Sequence, residues 1–227
     1  HTTPFEMCEI KLHVKLPIFV ARQWIRHRMA NVNEYSARYS ILDREFYLPA
    51  PAQLGEQSLN NRQGRDGLLA PEQAAHVLQL LRDDAQRCYD HYEELLNEDE
   101  VGGPRNPEAP QLARELARMN LTLNYYTQWY WKIDLHNLLH FLALRMDAHA
   151  QYEIRVYGDA IGQIVQRWVP TAWEAFVDYR LQAALFSRAE VLALRARLAG
   201  QTPDLAALGL SAREQREFLA KLGEDRQ

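Results

Sequence analysis

The densest chemistry in this 227-residue chain lies between Arg22 and Arg38, where four arginines (Arg22, Arg26, Arg28, Arg38) stand against one acid, Glu34. That local balance of +3 sits in a chain of net charge −4, so the remainder carries −7. Arginine holds phosphate through two parallel hydrogen bonds, and such a concentration in an acidic protein points to a specific anionic ligand. The alternative is that Arg26, His27 and Arg28 merely complement the negative end of a helix dipole. Residue order favours the ligand. From Arg26 to Tyr39 the chain reads RHRMANVNEYSARY, with amides at Asn31 and Asn33, the Glu34 carboxylate and the Ser36 hydroxyl, and few large apolar groups. Such a stretch is poor core material.

A second cluster, His136-Asn137-Leu138-Leu139-His140, puts two histidines four apart on one helix face. It falls one residue short of the zinc-protease HExxH pattern, with Asn137 where the general base belongs. Asp134, Asp147 and His149 lie nearby, so a metal-dependent hydrolase is one alternative, weakened by the missing glutamate. Two histidines packed or hydrogen-bonded on a helix are commoner than a metal site. Arg145 and His149 are also four apart, so both can point into one cleft; the plainer reading is an exposed pair of little energetic weight. Arg118 reads as a helical surface arginine. Cys8 falls on the apolar face of a strand and Cys88 on the core stripe of a helix, where thiols are usually inert. Ser36 has no nucleophile-elbow glycines around it and reads as a ligand contact.

These groups need a frame. Cys8 to Leu16 alternates apolar and polar residues, which is a strand with one face buried. Pro17 suits the first turn of a helix running from Ile18 to about Arg28. Residues 49 to 71, rich in Pro and Gly, read as a long loop. A helix follows from Ala74 to about Asn97, with a core stripe of Ala74, Leu78, Leu81, Ala85, Cys88, Tyr92 and Leu95. The aromatic run from Tyr125 to Trp131 favours a strand. Helical pattern resumes near Asp134 and reaches about Trp168 with one interruption. Ser187 with Glu190, and Ser211 with Glu214, form capping-box signatures that open two further helices.

At 47% hydrophobic and 25% charged residues the composition is that of a globular chain, which excludes disorder and collagen-like repeats. No apolar run approaches the length of a membrane-spanning helix. Two cysteines without a CxxC pair exclude a disulfide framework and a zinc ribbon, and suit a reducing cytoplasm. The net negative charge argues against a general nucleic-acid binder. The chain begins at His1 without methionine, which reads as a fragment or a processed protein lacking an upstream segment. The fold class is α/β or α+β: a mixed sheet flanked by helices, with helix in excess. A domain over 1–180 precedes a helical tail over 181–227.

RHR, seven residues and then Ser36 resembles the signature of the flavin-dependent thymidylate synthases, the ThyX family. TPFE (Thr3 to Glu6), FVARQWIRHR, EFYLP (Glu45 to Pro49) and LRMDAHAQYEIR (Leu144 to Arg155) resemble that family in order and spacing, from His1 to about Tyr179. The tail lies outside the resemblance. The likeness implies conversion of dUMP to dTMP, with methylenetetrahydrofolate as one-carbon donor and NADPH reducing a bound FAD. It implies that Thr3, Arg26, His27, Arg28, Glu34, Asp134, His136 and His140 contact FAD. Gln23, Trp24, Arg26, Glu34, Ser36, Arg38, Arg118 and Arg145 would hold dUMP, with Arg145 at the uracil ring as the catalytic arginine. It also implies a homotetramer whose sites are built from several subunits. The absence of a GxGxxG fingerprint speaks against a Rossmann site. A nucleotide-binding module without turnover is the non-enzymatic alternative.

Overall fold

The computed structural model describes residues 2–58, 64–99 and 101–224, and the chain divides into two compact units, residues 1–168 and 169–227. The first unit runs α1 (Thr3–Glu6), β1 (Glu9–Pro17), α2 (Ile18–Trp24), β2 (Asn31–Glu34), β3 (Gly55–Gln57), β4 (Arg65–Leu68), α3 (Pro71–Leu96), α4 (Arg114–Ala117), β5 (Tyr126–Asp134), α5 (Leu135–Arg145) and α6 (Tyr152–Trp168). The helix-rich α/β class is as expected. The described strands all pair antiparallel, however, where a mixed sheet was expected. β5 lies between β1 and β2, so those two strands run the same way without touching.

The period-two pattern of β1 sets the register. Leu12 faces Trp131, Val14 faces Trp129 and Leu16 faces Thr127. Trp131 and Leu16 are fully buried, while Tyr130, on the opposite face of β5, is half exposed. Behind the inner face, Trp24 of α2 meets Trp129 and Trp131 edge-on and lies 4.9 Å from the ring of Phe141 in α5. Edge-to-face aromatic packing of this kind adds to the area each ring buries.

Several boundaries differ from the sequence reading. Pro17 ends β1 in extended backbone (ψ 145°) and caps α2 rather than occupying its first turn. That helix stops at Trp24, four residues short, so Arg26, His27 and Arg28 follow it as irregular chain. The expected loop over 49–71 contains the β3–β4 hairpin; residues 59–63 lie outside the described residues. In α3 the buried positions are Ala74, Ala85, Tyr89, Tyr92 and Leu96, whereas Leu81 and Leu95 are exposed and Cys88 is half-buried. The C-terminal half of that helix faces a core formed with Ala117 and Tyr125. Its end is set by Asn97, which takes the left-handed conformation (φ 44°) and binds the Asn106 and Ala109 carbonyls through its amide. Cys8 lies one residue ahead of β1 and is half-buried.

The second unit contains α7 (Pro170–Phe176), α8 (Arg188–Leu198) and α9 (Ala212–Lys221). Ser187 and Ser211 both form the expected capping boxes. Lys221 of α9 binds the buried Glu190 of α8 at 2.6 Å, and Phe218 is fully buried. Among the described residues, no helix is long and apolar enough to cross a membrane.

Candidate active site

Consecutive residues of α2 divide the molecule into core and site. Trp24 is fully buried among aromatic rings, so its side chain is core rather than pocket wall. Gln23 instead lines a cleft of about 600 Å3 with Ala143, Leu144, Arg145, Asp147, His149, Ala150 and Gln151. Arg145 is the last residue of α5, and its guanidinium lies 5.9 Å from the Phe141 ring. Helix α5 ends there, so His149 is not one turn further on. It reaches the same cleft through a tight turn in which the Asp147 carboxylate accepts from the His149 backbone amide (2.7 Å) and lies 2.9 Å from its Nδ1. Those contacts, the amide first, hold the Asp147 carboxyl below its ordinary range.

His27, three residues past α2, lies 5.8 Å from His140 and 5.4 Å from Phe141 between ring centres. Burial, first, and then electrostatic interaction with His140 and Arg145 push its pKa below the ordinary imidazole value. His136 and His140 are both exposed. Asp134 is the N-cap of α5: its carboxylate accepts from the Asn137 backbone amide at 2.9 Å and from the Asn137 side-chain amide at 2.7 Å. The HNLLH segment is therefore a capped helix start. Among the described residues, no three His, Cys, Asp or Glu side chains are grouped to hold a metal ion. The exposed Thr3 opens α1, which lies against α5.

The remaining candidates gather elsewhere in the unit. Glu34 accepts a hydrogen bond from the Thr127 hydroxyl at 2.7 Å. Ser36 begins a turn, its Oγ accepting from the Arg38 amide at 3.3 Å, and the Arg38 guanidinium lies over Tyr39 at 5.6 Å. Arg114, which no sequence signal singled out, donates to the Tyr39 carbonyl (2.5 Å) and pairs with Glu98. It thereby ties this turn to α4, and Arg118 directly follows that helix, its Nε bonded to the Glu115 carbonyl at 3.4 Å. Ser36, Arg38 and Arg118 do not line the Gln23–Arg145 cleft.

Among the described residues, six buried side-chain polar atoms lack a hydrogen-bond partner. Three are the indole nitrogens of Trp24, Trp129 and Trp131. The others are Gln23 Oε1, His27 Nε2 and Arg145 Nε. An unsatisfied buried polar atom costs about 1–3 kcal/mol; of these groups, Gln23 and Arg145 line the one cleft. Arg145 is desolvated as well, with no carboxylate acting on it.

The family described as thymidylate synthase complementing protein matches residues 1–171. The chain belongs to that family. A second match, to the ThyX C-terminal domain, covers residues 185–227, the tail that sequence reasoning left outside the resemblance. A flavin-dependent thymidylate synthase of Ruegeria pomeroyi is 60% identical over 98% of this chain and 71% of its own length. That of Gluconobacter oxydans is 62% identical over 98% and 70%. Among solved structures, a UMP/dUMP methylase from Streptomyces cacaoi, bound with 5-Br UMP, superposes with a TM-score of 0.69 at 26% identity, covering 80% of this chain and 78% of that one. The hydrolase and binding-module alternatives have no support among these relatives.

Proposed function

We propose that the chain works as a flavin-dependent thymidylate synthase, converting dUMP to dTMP with methylenetetrahydrofolate as carbon donor and NADPH as reductant. The observation that carries this reading is the set of three unpartnered buried atoms at Gln23, His27 and Arg145, two of these residues lining one cleft, in a chain about 60% identical to enzymes of that name. The donor set suits FAD. His27 and His140 offer ring nitrogens beside the arginines Arg26 and Arg28, and Thr3, Asp134 and His136 stand on elements adjoining them. When bound, FAD supplies the redox chemistry, and the protein supplies binding, orientation and electrostatics.

The chain's own contributions follow from its geometry. Arg145 places a desolvated guanidinium in the cleft, where it favours negative charge on a uracil ring far more than it would in water. Gln23 Oε1 is a free acceptor suited to an N–H of a base. Ser36, Arg38 and Arg118 supply a hydroxyl and two cations suited to phosphate, and Glu34 lies two residues before Ser36. Within one chain these residues form two clusters. A homotetramer in which one subunit brings its Ser36–Arg38–Arg118 cluster to the Gln23–Arg145 cleft of another unites them. Assembly is then a condition of activity.

The test is the visible spectrum of the purified protein before and after NADPH without oxygen, followed by dUMP-dependent dTMP formation. A flavin spectrum that bleaches, with dTMP made by the wild type, is the expected result. Arg145→Ala is expected to keep its flavin while dTMP formation falls by about a hundredfold to a thousandfold. Normal turnover by that variant refutes the role of Arg145, and a protein that cannot take up FAD refutes the whole reading.

A further inference from the structure

Away from the cleft, the β3–β4 hairpin is held by a buried ionic contact that the proposed chemistry does not use. Glu153, in the first turn of α6, is 6% exposed. Its carboxylate pairs with the Arg65 guanidinium, accepts from Gln151 Nε2 at 2.9 Å and accepts from the Tyr47 hydroxyl at 3.2 Å. Arg65 also donates to the Gln53 carbonyl at 2.6 Å, so one guanidinium joins the hairpin, the segment before it and α6. A carboxylate this buried is costly unless it is fully bonded. Burial pushes the Glu153 pKa up, but the Gln151 bond, a backbone amide and Arg65 together outweigh it and keep the group ionised.

The same helix supports Arg145 from behind. Gly158, one and a half turns on from Glu153, packs so closely that an added Cβ would lie 3.1 Å from the Arg145 carbonyl carbon and 3.2 Å from its oxygen. Gln151, bonded to Glu153, is itself a wall of the cleft that Arg145 lines. Two rigid paths therefore lead from one carboxylate to the cleft: along α6 to the Arg145 backbone, and through Gln151 to the facing wall.

We propose that Glu153 and Arg65 are positioning residues for nucleotide binding, setting the Arg145 guanidinium and the 147–151 wall at the spacing that grips the pyrimidine. This inference rests on the proposed placement of dUMP at Arg145. Neither residue touches the ligand; both act through Arg145 and Gln151.

The experiment measures KM for dUMP, kcat, flavin content and melting temperature for the full-length protein and for Arg65→Gln, Glu153→Gln and Arg65→Lys. Because Arg65 is partly exposed on a hairpin, Arg65→Gln remains informative even where the buried Glu153→Gln does not fold. Arg44→Gln, which breaks an exposed ionic contact to Asp90 and Glu93, serves as the control for lost stability alone. The expected result is a rise of KM for dUMP by about tenfold to a hundredfold in both glutamine variants, the order for a binding group moved off its productive geometry. Flavin content stays at the wild-type level, Arg65→Lys recovers part of the loss, and Arg44→Gln leaves KM unchanged. A KM within about twofold of wild type in Arg65→Gln, while Arg145→Ala loses dUMP, overturns the inference and leaves the site reading standing. Should Arg145→Ala bind dUMP normally, the site reading falls and this inference falls with it.

Discussion

Helices α2 and α5 each serve two regions that differ in the kind of group they present. On one side Trp24 and Phe141 close against Trp129 and Trp131, every ring buried and in contact with another. On the other, the adjacent residues Gln23 and His140 lie with His27 and Arg145; buried polar atoms lack a partner on both sides, the indole nitrogens of Trp24, Trp129 and Trp131 on the first and Gln23 Oε1, His27 Nε2 and Arg145 Nε on the second. A shift of one position along a helix turns a side chain by about 100°, so neighbours in sequence belong to different regions. Aromatic packing dominates the first side, while the second carries the amide, imidazole and guanidinium groups that suit a polar ligand. The same short stretches specify both.

The sharpest break of this contrast is Trp24→Ala. It removes a fully buried indole that four aromatic side chains contact, and is expected to cost about 3–5 kcal/mol of unfolding free energy by chemical denaturation. Gln23→Leu, one residue away, should do the opposite to the ligand-free fold. Replacing an unsatisfied buried acceptor by an apolar group of similar size leaves stability unchanged or raises it by up to about 1 kcal/mol, while dUMP affinity falls roughly tenfold. Marked destabilisation by Gln23→Leu would show that the acceptor is satisfied in the free protein.

The smallest effect concerns His27. Its folded pKa lies below that of an unfolded histidine, about 6.5, so the folded state binds fewer protons there. Its contribution to stability is complete above that pH and is lost as pH falls toward the folded value. In flavin-free protein, wild type should therefore lose more stability than His27→Gln between about pH 7 and pH 5, read from paired denaturation curves. Equal pH slopes for the two proteins would remove His27 from the set of strained groups.

The sequence announced β1 and β5 because alternation and aromatic content are local signals, and the register of Leu12 on Trp131 follows once they pair. It singled out residues 26–38 as poor core material, and β2 within that stretch is exposed along its whole length. It misjudged α3, because periodicity tells which face of a helix is apolar but not how far along its length a neighbour covers it. Leu81 lies on the expected stripe and is exposed, whereas Tyr89 lies off it and is buried. The contact between Arg65 and Glu153 spans 88 positions and joins a Gly-rich hairpin to a helix start. Neither residue carries a local signal of the other. Likewise, nothing in the sequence separates the Gln23–Arg145 group from the Ser36–Arg118 group; that division exists only in three dimensions.

The placement of β5 between β1 and β2 also has a consequence for how the chain is made. Both outer strands leave the ribosome first, and neither can pair with the other, since each needs the strand that lies between them. That partner begins at Tyr126, roughly ninety residues after β2 ends, which at ordinary elongation rates is a wait of about 5–20 s. Throughout that interval the Ile10–Leu16 face of β1 has no sheet to join and is open to other nascent chains. Synthesis of β5 is therefore the step that commits the domain, and slowing translation before Tyr126 should raise the yield of aggregate while leaving the finished protein unchanged.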